Sequence, residues 1–192
     1  MPRAGLSRDA VVAIALELID EDPGTPLTLA RVAARAGVAV PSLYKHVPSL
    51  DALRDAVATI AITRLADAIE QTGEPSDGLS AVRSVGRAVR AFATAHPGLY
   101  AAGQPAPGRD ASEEYTAAAA RAVAALSRAL AAGGVPEDRL IDAVRILRAA
   151  THGFIVLDAA GGFRMPDDVD VSYERLLDVT WAGLATLGSG AE

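Results

Sequence analysis

"LTLARVAARAGVAVPSLYKHVPSLDAL", residues 27–53, sets two short helical patterns on either side of one glycine. Thr28 stands where the apolar stripe Leu29, Val32, Ala33, Ala36 begins, so its hydroxyl is placed to cap a helix. Gly37 supplies the left-handed residue that ends such a helix. "VPSLYKHV" follows at 40–47 as a second short helix, closed by Pro48. Ser49 then caps a longer one. The stretch holds the only lysine of the chain, Lys45, against seventeen arginines in the whole sequence.

Two short helices around a glycine turn form a helix-turn-helix, whose second helix enters the DNA major groove. Val38, Leu43 and Val47 are the apolar members that hold that helix to its scaffold. Ser42, Tyr44, Lys45 and His46 are left on or near the outer face. All four donate hydrogen bonds suited to phosphate oxygens, and Lys45 also reaches a guanine edge. Pro41 fits the first turn, where a missing N–H loses nothing. Helix initiation accounts for it as well as contact with a thymine methyl does. No acidic residue occurs from Pro23 to Leu50, where Arg31, Arg35 and Lys45 lie. In a chain of net charge −6 this basic island implies one small anion-facing surface, not general affinity for nucleic acid.

Outward from this stretch every pattern is helical. Apolar residues recur at three and four, alanine is abundant, and nothing alternates as a strand does. The expected fold is all-α with about nine helices. The first starts after Ser7. The fourth runs 49–72, the fifth carries Leu79 to His96, and Pro97 opens a short sixth in "HPGLY". The seventh covers 111–132, the eighth 136–160 and the ninth 170–187, with a loop in "GQPAPGRD" (103–110). Residues 1–48 are expected as the DNA-binding domain and 49–192 as a second helical domain, linked by helix four.

At 192 residues and 51% hydrophobic content the chain is long and apolar enough for a buried core. No apolar run reaches the roughly 18 residues of a membrane span, and no signal peptide is expected. With no cysteine there is no disulfide framework and no thiolate site. A cytoplasmic protein is expected. His96 and His152 have no carboxylate at i−3 and no H-E-x-x-H occurs, so no metal is expected. No phosphate loop and no nucleophile–base pair suggest an enzyme or a cofactor.

The aromatics of the later helices, Phe92, Tyr100, Tyr115 and Phe154, with His96 and Thr151, are candidates for a largely apolar small-molecule pocket. Core packing explains each of them equally well. Helices eight and nine are apolar on more than one face, which suggests a four-helix dimer seam through Leu147, Phe154, Leu177 and Leu184. Gly153 and Gly183 offer close approach there.

The segment 27–53, with its "A-x-x-A-G-V", "L-Y-x-H" and "S-x-x-x-L" features, resembles the DNA-binding segment of the TetR family of bacterial regulators. The likeness covers roughly 8–55; "HPGLY", "THGF" and "AAGGF" resemble a subgroup of its C-terminal domains. The resemblance implies a homodimer on a double-stranded DNA operator and a small-molecule effector site in the C-terminal domain. It implies phosphate contacts from Thr28, Tyr44 and His46, and base or phosphate contacts from Val40, Pro41, Ser42 and Lys45. This chain departs from the family at three positions. Val47 replaces the usual Phe, Leu50 a frequent Lys, and Ala39 a frequent capping Ser. A ligand-responsive repressor is expected; the rival is a helical carrier or enzyme keeping a vestigial helix-turn-helix.

Overall fold

The computed structural model describes residues 6–105 and 111–186. Among these it contains nine α-helices and no strand: α1 Arg8–Glu21, α2 Leu29–Ala36, α3 Val40–Leu43, α4 Leu50–Glu70, α5 Gly78–Ala95, α6 Pro97–Ala102, α7 Glu113–Ala132, α8 Leu140–Ala159 and α9 Val169–Thr186. A 3₁₀ turn at Glu137–Arg139 precedes α8, where the sequence predicts helix from 136. Much of the "GQPAPGRD" loop and the expected end of α9 at 187 lie outside the described residues.

The chain forms two compact units, one drawn from 1–64 and 93–119 and the other from 65–92 and 120–192. Compactness therefore does not divide at 48/49. The segment 93–119 joins the first unit because α6 packs on α1.

In the first unit α1 packs on α2 and α2 on α3. Ser7 accepts from Ala10 N and Thr28 from Arg31 N, so both helices begin on side-chain caps. Gly37 takes φ 68°, and its N–H and that of Val38 return to the free carbonyls of α2. Val11, Ala15, Val32, Leu43, Val47, Leu53 and Val57 fill the core. Full burial of such side chains contributes roughly 1.5–3 kcal/mol each. The start of α6 lies so close to α1 that a Cβ on Gly98 would run into the Ile19 carbonyl.

The second unit rests on α9 lying against α5. Gly86 leaves room for Leu177, and Gly78 for the Trp181 ring. Tyr173, 1% exposed, donates its hydroxyl hydrogen to the Gly86 carbonyl at 2.7 Å. Ion pairs line the same contact, Arg83 with Asp178, Arg87 with Glu174 and Arg90 with Asp170, and Arg90 also pairs with Asp158 of α8. The Arg90 guanidinium lies 4.8 Å from the Tyr173 ring centre, and Phe154 packs against both Tyr173 and Phe163. None of the described helices is long and apolar enough to cross a membrane.

Candidate nucleic-acid interface

The recognition segment is shorter than its pattern. Helix α3 has only Val40–Leu43, and Tyr44–His46 continue as turn. Ala39 gives the helix no side-chain cap, while Pro41 stands in the first turn, where it is tolerated. The Leu43 carbonyl then accepts from both His46 N and Val47 N, which tightens the end before Pro48. Leu43 and Val47 are 0% and 2% exposed and anchor the segment; Val38 is half-buried. Val47 thus fills its place without the family's Phe.

This anchoring turns Tyr44, Lys45 and Pro41 outward, with Tyr44 55% exposed. Val40, Ser42 and His46 are half-buried beside them. The side chains of Ser42, Tyr44, Lys45 and His46 make no hydrogen bond or ion pair within the described chain, so their donors are available to a ligand. Thr28 accepts the Arg31 N–H at 3.2 Å, which leaves its hydroxyl hydrogen free to point at an oxygen acceptor. Ser49 caps α4 by accepting from Ala52 N at 3.0 Å.

Two of the island's three cations are engaged within the chain. Arg31 donates to the Thr25 and Pro26 carbonyls at 2.7 and 2.9 Å and to Leu18 O at 3.5 Å, with Asp22 beside it. Arg35 forms a two-point pair with Glu21, and Glu17 lies 3.7 Å away. The hydrogen bond from Arg35 holds the Glu21 carboxyl below its ordinary range and raises Arg35 in turn. The acids that engage them precede Pro23, so a scan of the island alone misses them.

The expected pocket residues fall in both compact units. His96, Tyr100 and Tyr115 belong to the first unit, Phe92, Thr151 and Phe154 to the second. Thr151 donates to Leu147 O within α8, and Phe154 is held in the aromatic cluster. A cavity of about 1220 Å³ does occur inside the first unit. The α1–α2 turn (Pro23 to Leu27), the α3–α4 link (Val47 to Ser49), the first turns of α4, α6 and Tyr115 surround it. Its walls mix Ile19, Leu27, Val57 and Ala58 with Arg8, Arg54, Asp55 and Ser112.

Of the expected dimer seam, Phe154 is half-buried. Leu147, Leu177 and Leu184 are 1%, 0% and 1% exposed within a single protomer, so they are its own core and offer a partner no surface. The outward stripe lies beside them: Ile146, Ala149, Gly153 and Val156 on α8, Val171, Val179 and Gly183 on α9. Nothing approaches within 4 Å of a Cβ placed on Gly153 or Gly183.

Residues 82–180 match the family model of the tetracyclin repressor-like C-terminal domain. The chain is 34% identical to the uncharacterised HTH-type transcriptional regulator Rv0681 of Mycobacterium tuberculosis, over 87% of this chain and 75% of that protein. The chain belongs to the TetR family. A protein of unknown function from Rhodococcus sp. RHA1 superposes with a TM-score of 0.73 at 29% identity, covering 96% of this chain and 99% of that one. A single-substitution variant of TetR from Acinetobacter baumannii AYE, solved in complex with minocycline, shares the fold at a TM-score of 0.70 and 24% identity, over 95% of this chain and 98% of that one. The chain is thus a transcriptional regulator of TetR type, and the exposed donors of 40–46 lie in its helix-turn-helix.

Proposed function

We propose that this regulator is a ligand-responsive repressor that binds a near-palindromic operator as a homodimer and acts in the cytoplasm. The observation that carries the reading is the set of unpartnered donors at Ser42, Tyr44, Lys45 and His46, held outward by buried Leu43 and Val47. Thr28, Tyr44 and His46 contact phosphates; Val40, Pro41, Ser42 and Lys45 face the groove. Residues 1–48 act as the DNA-binding part, whatever the packing of 93–119. The outward stripe of α8 and α9 supports a two-fold seam, since apolar stripes on neighbouring helices pair with their own copy.

The effector is a largely apolar small molecule. A protein of this fold is seen with minocycline, and the cavity beside Tyr115 is large enough for a ligand of that size class. It shifts the protein toward a conformation whose two recognition segments no longer match successive grooves, by binding that conformation more tightly. The test is selection from random duplex DNA followed by a gel shift. Enrichment of a two-fold symmetric site, bound in a salt-sensitive way, is expected. Failure to enrich any sequence at low salt would favour the carrier or enzyme instead.

A further inference from the structure

We infer that Asp20 is a positioning residue for operator binding, and that α6 sets the helix-turn-helix through the last turn of α1. The inference rests on the DNA-binding reading above. The last turn of α1 is gripped from two sides. On one side Asp20 accepts the Leu99 N–H at 3.2 Å, an otherwise unsatisfied donor in the first turn of α6. Its other carboxylate oxygen stands 3.4 Å from His96 Nδ1. Pro97 presets that turn, Gly98 permits backbone contact with Ile19, and Leu99 is fully buried. On the other side Arg31 of α2 holds Leu18 O and the Thr25 and Pro26 carbonyls.

Leu18 and Asp20 lie in the same turn, so a displaced α6 moves the carbonyl that Arg31 grips. Arg31 is also the residue whose N–H the Thr28 cap receives. The path α6, Asp20, Leu18 O, Arg31, Thr28 therefore runs from α6 to a proposed phosphate contact without passing through α4.

The test uses the full chain and the operator selected with the wild type. Asp20→Ala, Arg31→Gln and the double variant are compared for affinity to operator and to random duplex DNA, with thermal melts alongside. Asp20→Ala should lose at least tenfold in operator affinity with random-DNA affinity within twofold of wild type. Asp20→Asn, whose side-chain oxygen still accepts from Leu99 N–H, should recover most of the loss. The double variant should lose no more than the worse single variant, since both act on one turn. If Asp20→Ala does not fold, Asp20→Ser enters the same cycle. Wild-type operator affinity in the folded Asp20 variant, or losses that multiply in the double variant, would overturn the inference. A wild-type chain that selects no operator would instead remove the DNA-binding reading beneath it.

Discussion

Lys45 and Arg35 carry the same formal charge within one basic island, yet the structure gives them opposite circumstances. Lys45 is exposed with no partner, whereas Arg35 is paired with Glu21. A cation contributes to DNA affinity by releasing the counterions of the phosphate it neutralises, and a cation already paired releases few. Lys45→Ala should therefore weaken operator binding and flatten the plot of log affinity against log salt by about 0.9 for each protomer bound. Arg35→Gln should leave that slope unchanged. Titration of labelled operator across a salt series reads both; equal slopes for wild type and Lys45→Ala would remove Lys45 from the interface. The sequence shows which residues stand in the island but not which way they face. Thr28 and Gly37 were legible because caps are local. The engagement of Arg35 was not, since Glu21 lies outside the island and on another helix.

At the scale of elements, helix existence was legible and helix ends less so. Periodicity and caps place α1, α2 and α4 within a residue or two of their observed bounds. The pattern "VPSLYKHV" overstates α3, because three polar side chains in a row have no apolar face to hold them in a second helical turn. Its position depends on one buried anchor. Leu43→Ala leaves a cavity at a 0% exposed site and should cost roughly 2–5 kcal/mol, read as a lowered denaturation midpoint with operator affinity falling in step.

The α5–α9 contact makes a different prediction. The Arg87 hydrogen bond holds Glu174 below its ordinary 4.5. The folded state thus favours the carboxylate. Its contribution is present above about pH 4.5 and is lost as pH falls through the lower folded value. Urea midpoints should drop through this range for the wild type and drop less for Glu174→Gln. The difference is small, since solvent screens a partly exposed pair.

For the whole molecule, the sequence points to a partner surface on α8 and α9 through leucines that a single protomer buries. Leu147, Leu177 and Leu184 share their helices with the outward stripe, and hydrophobicity alone does not say which apolar face a protomer keeps for itself. The intramolecular choice follows from shape. Gly86 on α5 accepts Leu177, which turns Val179, two residues on and 71% exposed, outward. Leu184→Glu would therefore bury a charge inside one protomer and test folding, not assembly. Val179→Glu tests assembly, because the position is open in the isolated protomer and a glutamate there costs folding little. In a two-fold seam the same change brings two like charges onto apolar surface, where unpaired burial costs several kcal/mol. Sedimentation velocity at micromolar concentration should show a wild-type dimer and a Val179→Glu monomer with a circular dichroism spectrum like that of the wild type. Operator affinity should fall with the dimer, since a lone recognition segment with one free lysine holds only a half-site. A variant that stays dimeric and binds operator as the wild type does would place the seam elsewhere on the molecule.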